Sequence, residues 1–205
     1  NKRSVRQYTP GYMKGFLDKL TTDYKFEAIY FDDDTFNIGN RHTVEISKLA
    51  GRYNIPWFAM CRADTCKKDT WKIMRDNGCK GVKIGIESGS QYVVDQIVNK
   101  HLDLNYTKEI VNHLRELNMS VHGTFTYGLP GETKDQMIET KNFISNTNFN
   151  TVQESGTAEI EGTPLHTLNK KELKNYPGAS INSTYDRQKD GGKKWQSLVK
   201  DLQNN

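Results

Sequence analysis

The sequence predicts an α/β fold built on a parallel sheet, and three observations carry that prediction. Short apolar runs rich in strand formers alternate with helical patterns; the alternation recurs at intervals of about 30 residues, as crossover units require; and polar residues gather where each apolar run ends. Those ends carry Asp32, Asp33 and Asp34; Cys61, Arg62 and Asp64; Glu87 and Ser88; Gly128 to Glu132; and Glu159 and Glu161. Sites in parallel α/β folds form at the carboxyl ends of strands, whether the sheet is open or closed into a barrel. The pattern therefore predicts one shared mouth.

Thr9 followed by Pro10 marks a helix start, and Tyr12, Met13, Phe16, Leu17 and Leu20 follow at helical spacing. Residues 26–32 (FEAIYFD) read as the first strand, and Val44, Ile46, Leu49 and Ala50 as the next helix. Residues 55–61 (IPWFAMC) form a second strand, and Trp71, Ile73 and Met74 a helix that Gly78 stops. Residues 81–87 (GVKIGIE) form a third. The apolar stripes that follow break near Asp103, which predicts two helices rather than one. Residues 119–127 give a fourth strand, 133–145 a helix and 151–160 a fifth strand. From Asn169 onward periodicity fades and Gly and Lys accumulate; Trp195, Leu198, Val199 and Leu202 hint at a short final helix in a peripheral tail.

The chain has 205 residues, the size of one domain, with a 35% hydrophobic share sufficient for one core. No apolar run approaches the roughly 20 residues of a membrane helix, and no signal-peptide pattern opens the chain, so a cytoplasmic protein is expected. The formal charge of +4, from 29 basic and 25 acidic residues and uneven toward the Lys-rich end of the chain, is too mild to predict a nucleic-acid partner. Asn1 rather than Met at the first position suggests a chain that begins inside a longer protein.

Each polar constellation has a chemistry and a plainer structural alternative. Asp32, Asp33 and Asp34 can hold a divalent cation, accept from an ammonium or hydroxyl group, or simply cap an acidic turn. Arg62 can clamp a carboxylate, pair with the aspartates, or stand as an exposed loop Arg. Glu87 at a strand terminus can take both hydroxyls of a ribose. Ser88, Gly89 and Ser90 offer hydroxyl and N–H groups for an anion, or for a simple N-cap. The run Gly128-Leu129-Pro130-Gly131-Glu132-Thr133 turns sharply, with Thr133 placed to cap the next helix; no Walker or Gly-x-Gly-x-x-Gly pattern occurs. Cys61, Cys66 and Cys79 fit neither zinc nor common cluster spacings, so no metal ligand is assigned, Cys79 is expected in the core, and a reducing compartment is favoured. The histidines His42, His101, His113, His122 and His166 lack ligand spacing and read as structural.

The ordered set IYFDDDTF, WFAMCRAD, GCKGVKIGIESGS, YGLPGET and EGTPL, over roughly residues 3–168, resembles the radical S-adenosylmethionine (SAM) superfamily, most nearly the branch whose members often carry a cobalamin-binding domain. The resemblance implies a partial (β/α)6 TIM-like barrel over residues 1–168, of which units two to six are present, followed by a polar Lys-rich extension over 169–205. It implies SAM as cofactor and a 4Fe-4S cluster whose ligands, in the Cys-x-x-x-Cys-x-x-Cys loop of the first unit, lie upstream of Asn1. Cobalamin in the full-length protein is a further implication.

By position, Asp33 and Asp34 match the family's second-strand motif near the methionine amino group, with the usual Gly-Gly-Glu replaced. Glu87 and Ser88 match the position that hydrogen-bonds the SAM ribose or carboxylate. Phe125, Tyr127 and Gly128 match the motif beside adenine, with Pro130, Gly131 and Glu132 shaping its turn. Arg62 stands where some relatives hold a polar group facing substrate or SAM, and Glu161 where a Pro is common. The activity implied is reductive cleavage of SAM to a 5′-deoxyadenosyl radical that abstracts hydrogen from a small-molecule or unknown substrate, with a flavodoxin or ferredoxin as electron donor. The competing readings are a cluster-free metal-dependent hydrolase or lyase using the acidic turn and Glu87, and a degenerate barrel that only binds.

Overall fold

The computed structural model describes residues 5–157, so Glu159, Glu161, His166, the boundary at 168 and the Lys-rich extension lie outside the described residues. Five strands alternate with helices: α1 (Pro10–Asp23), β1 (Ile29–Phe31), α2 (Asn40–Gly51), β2 (Trp57–Cys61), α3 (Lys68–Asp76), β3 (Cys79–Glu87), a π-helical turn (Val93–Ile97), α4 (Leu104–Glu116), β4 (Ser120–Tyr127), α5 (Lys134–Ser145) and β5 (Thr151–Gly156). The sheet order is β1-β2-β3-β4-β5, and the β1/β2, β2/β3 and β4/β5 ladders are parallel. Sequence neighbours are thus sheet neighbours throughout, the order that successive strand-helix-strand crossovers give.

The elements start and stop for local reasons. Thr9 caps α1 by accepting from the Tyr12 N–H at 3.2 Å, and Pro10 occupies the first turn, where its missing N–H costs nothing. β1 is shorter than the expected 26–32. Its neighbour in the sheet is β2, whose ladder opens at Trp57 because Pro56 has no N–H to donate; Pro56 still accepts from the Ile29 N–H at 3.0 Å. β3 begins two residues before the expected Gly81, and the register between β2 and β3 slips after Trp57 to leave Lys80 as the extra residue.

The contacts divide the chain into two compact units. The first comprises the residues up to Ile84 together with His113–Val121. Its core centres on Trp57, wholly buried, with Phe31 at 5.5 Å edge-on and Phe36 at 5.4 Å between ring centroids. Trp71 and Met74 of α3 are also fully buried. The second unit comprises Gly85–Asn112 and the described residues from His122 onward. Val93, Val94, Leu102 and Ile110 are fully buried there, and Phe125 meets Phe143 of α5 and Phe149 at 6.3 and 5.7 Å. No helix among the described residues is long and apolar enough to cross a membrane.

Candidate functional site

In the first unit the carboxyl ends of β1 and β2 are joined by one side chain. Asn37, wholly buried, accepts from the Arg62 N–H through Oδ1 at 3.0 Å and donates to the Arg62 carbonyl through Nδ2 at 2.7 Å. Its amide satisfies both backbone groups of Arg62 just as a neighbouring strand would, which extends the sheet's order one residue past β2. The Phe36 N–H, donating to the Met60 carbonyl at 2.8 Å, pins the same loop. So held, Arg62 forks onto Asp64, Nε to Oδ1 at 2.9 Å and Nη2 to Oδ2 at 2.7 Å. That bond raises the guanidinium pKa further, against the opposing effect of burial. The observed partner is Asp64, which lies outside the Asp32–Asp34 triplet that the sequence offered for pairing.

Asp32, Asp33 and Asp34 are exposed on the loop after β1. Among the described residues no group of three His, Cys, Asp or Glu side chains can hold a metal ion, so the acidic triplet does not converge on a cation. The cysteines are equally unsuited. All three are free and buried, and burial pushes the Cys66 thiol up to about 11, the Cys79 thiol up to about 12 and the Cys61 thiol well above its ordinary value. Nor do they gather, among the described residues, into a group of three side chains that could hold a metal ion. The described residues therefore do not fit an iron-sulfur cluster.

In the second unit Glu87 closes β3 with φ +75°, a left-handed conformation unusual for a residue with a side chain. Its Oε1 accepts from Lys100 Nζ at 2.9 Å, and its Oε2 lies 3.4 Å from the Thr126 hydroxyl, which donates. The side chain keeps 29% of its surface exposed. A carboxylate has about four lone-pair directions, so capacity remains for two more donors. This is an observation of fit: a vicinal diol supplies two hydroxyl donors to one carboxylate, and Glu87 is half-buried and oriented in advance.

Ser88 is wholly buried, and its neighbours account for it. Its hydroxyl hydrogen-bonds Thr140 Oγ1 at 2.9 Å and accepts from the Ser90 N–H at 3.1 Å; Thr140 also accepts from the Gly89 N–H at 2.9 Å. The Ser-Gly-Ser run is thereby fastened to α5, and two of its N–H groups serve that junction rather than an anion.

At the end of β4, Gly128 and Gly131 take φ +76° and +88°, the left-handed values that favour glycine. Glu132 is wholly buried inside this turn. Its Oε2 accepts from the N–H groups of Gly128 at 2.7 Å and Leu129 at 3.1 Å, while Oε1 has no partner among the described residues. Burial raises its carboxyl to about 7, outweighing the two backbone donors. Thr133 and Gln136 then form a reciprocal capping box that starts α5.

Strand alternation separates the β4 residues. Phe125 and Tyr127 point to the helix layer: Phe125 packs on Phe143, and the Tyr127 hydroxyl donates to Glu154 Oε1 at 2.6 Å, which Lys141 of α5 also meets at 2.9 Å. Thr124 and Thr126 point the other way, toward Glu87. What Phe125 and Tyr127 offer on the Glu87 side is backbone. Sequence reasoning missed Asn37, Lys100 and Thr126. Thr126 was recoverable from the two-residue period of β4, whereas an Asn in a loop and a Lys between two helices carry no such signal.

Comparison with known proteins agrees with this architecture. Residues 2–144 match the family model described as the radical SAM superfamily. The chain is 25% identical over 158 residues to cytidylyl-2-hydroxyethylphosphonate methyltransferase of Streptomyces wedmorensis, covering 72% of this chain and 29% of that protein. It is 28% identical over 152 residues to an uncharacterized methyltransferase of Pyrococcus horikoshii, covering 73% and 33%. It thus spans about a third or less of these relatives. Among solved structures it resembles the radical SAM methyltransferase TsrM of Kitasatospora setae, with cobalamin and a 4Fe-4S cluster bound, at a TM-score of 0.67 and 14% identity over 75% of this chain and 30% of that one. A parallel five-stranded α/β sheet, with polar groups collected at its strand ends and a family match over most of its length, belongs to the radical SAM superfamily.

Proposed function

We propose that this chain is the SAM-binding part of a radical SAM enzyme, one that reductively cleaves SAM to a 5′-deoxyadenosyl radical acting on a small-molecule or as yet unassigned substrate. The observation that carries it is the family match over residues 2–144 together with a half-buried carboxylate, Glu87, at the carboxyl end of β3. In this reading Glu87 accepts from the ribose hydroxyls, with Thr126 beside it. Within the same unit Phe125, Tyr127 and Gly128 lend backbone to the adenine side, and Ser88 and Glu132 hold the two loops in shape; Asp33, Asp34 and Arg62 are assigned to the methionine end by their position in the family motif alone. The residues bind and orient; they move no proton at the reacting carbon. The iron-sulfur cluster belongs to the whole protein and is not held by the described residues.

Residues 1–168 form the core in this proposal and 169–205 an accessory extension. Three free thiols fit a reducing compartment, hence the cytoplasm, and a flavodoxin or ferredoxin would deliver the electron. Both curated relatives are named methyltransferases, which supports methyl transfer as the outcome in the whole protein and cobalamin as a second cofactor, the group bound in the TsrM structure. The test is anaerobic incubation of the whole protein with SAM and a strong reductant, quantifying 5′-deoxyadenosine and S-adenosylhomocysteine. Either product above the reductant-free control supports the reading, and absence of both overturns it.

A further inference from the structure

Glu87 and Lys100 meet by a costly route. The helix after β3 widens into a π-turn at Val93–Ile97, with the Val98 N–H donating to the Val93 carbonyl and the Lys100 N–H to the Val94 carbonyl, each at 2.9 Å. Asn99 and His101, on either side of Lys100, then take φ +55° and +50°. With Glu87 at +75°, three of the five non-glycine residues with positive φ among the described residues belong to this one contact. Strain of this kind persists only where the surroundings over-determine it, and it concentrates at functional sites. The outcome is a lysine with only 15% of its side chain exposed, donating to the Gly85 carbonyl at 2.8 Å and to Glu87 Oε1 at 2.9 Å.

The strand itself makes room for that lysine. A Cβ built on Gly85 would stand 2.9 Å from Glu87 Oε1 and 3.1 Å from Lys100 Nζ, so any side chain at position 85 pushes the pair apart. An ordinary surface ion pair needs neither a missing Cβ nor two left-handed flanking residues. From this we infer that Lys100 is a positioning residue for ligand recognition: seated over Gly85, it fixes Glu87 through Oε1 so that the rest of the carboxylate, with the Thr126 hydroxyl beside Oε2, faces the ribose diol of an adenosyl ligand. The inference rests on the reading of Glu87 as the diol acceptor. It adds that the selectivity for the diol is set by a residue that does not touch it.

Equilibrium binding of adenosine, 2′,3′-dideoxyadenosine and L-methionine to the whole protein, measured anaerobically by calorimetry or dialysis, separates these ideas. In the parent protein, loss of the diol is expected to weaken binding about tenfold or more, as a site built to hydrogen-bond a hydroxyl rejects the analogue lacking it. Lys100→Met is expected to shrink that penalty to within about threefold and leave methionine affinity unchanged. Lys100→Arg is expected to restore part of it, and Gly85→Ala to reproduce the loss with both charges intact. If the parent binds adenosine and its dideoxy analogue alike, the reading of Glu87 fails. If the parent shows the penalty and Lys100→Met and Gly85→Ala keep it in full, or if Lys100→Met weakens methionine instead, the positioning role of Lys100 is overturned while Glu87 stands. Should Lys100→Met not fold, Gly85→Ala and Lys100→Arg decide the matter.

Discussion

Glu132 shows how one buried atom can set a pH dependence. In the unfolded chain its carboxyl titrates at the ordinary 4.5, and in the folded chain burial raises it to about 7. Between those values the folded chain holds a proton that the unfolded chain has released, so stability falls as pH rises across that window. The loss is of the order of 3 kcal/mol by pH 7 and above. Urea midpoints taken from pH 5 to pH 8 are expected to fall accordingly, and Glu132→Gln to flatten the curve. Asn37 supports a second expectation. Asn37→Leu removes three hydrogen bonds, two to the Arg62 backbone and one at 3.3 Å to Cys66 Sγ, and is expected to cost about 2 to 4 kcal/mol by denaturation. Asn37→Asp keeps the acceptor for the Arg62 N–H but turns a buried carboxylate oxygen against the Arg62 carbonyl, and is expected to cost at least as much. The site was only partly legible at this scale. Glu87 and Glu132 are named by strand-end position and by a Gly-Pro-Gly turn, but the partner of Glu87 lies in a different element and sequence spacing does not register it.

At the scale of elements, periodicity located the helices and strands of the described residues, including α1, whose apolar stripe buries only Leu17 and leaves Tyr12 and Phe16 exposed. The errors fall at ends. β1 lost its first residues to Pro56, a partner's property rather than its own. The break near Asp103 was legible as two helices, but not the π-turn and left-handed residues that bridge them. The junction between the loop after β3 and α5 offers a direct check. A Cβ on Gly89 would meet Phe143 Cβ at 2.5 Å and Thr140 Cα at 2.7 Å, so Gly89→Ala forces the loop off α5. It is expected to lose about 1 to 3 kcal/mol. Thr140→Val, which keeps the shape but removes the hydroxyl shared by Ser88 and Gly89, is expected to lose a similar amount, read by thermal denaturation.

For the molecule as a whole, the family match and the α/β sheet place the chain in the radical SAM superfamily, and among the described residues no group of three His, Cys, Asp or Glu side chains can hold a metal ion. If cluster-loaded protein is prepared, Ser replacements at Cys61, Cys66 and Cys79 should leave its iron content per folded chain unchanged, since these thiols are buried and belong to no group that could hold a metal ion. Loss of iron in proportion to the substitutions would place them in the cluster after all. The two faces of β4 suggest how such a scaffold can be re-engineered. Phe125 and Tyr127 look into the helix layer, and Thr124 and Thr126 look toward Glu87. A combinatorial library confined to the two threonines samples new ligand preferences without disturbing the aromatic layer. A library at the aromatic positions spends its diversity on misfolded clones.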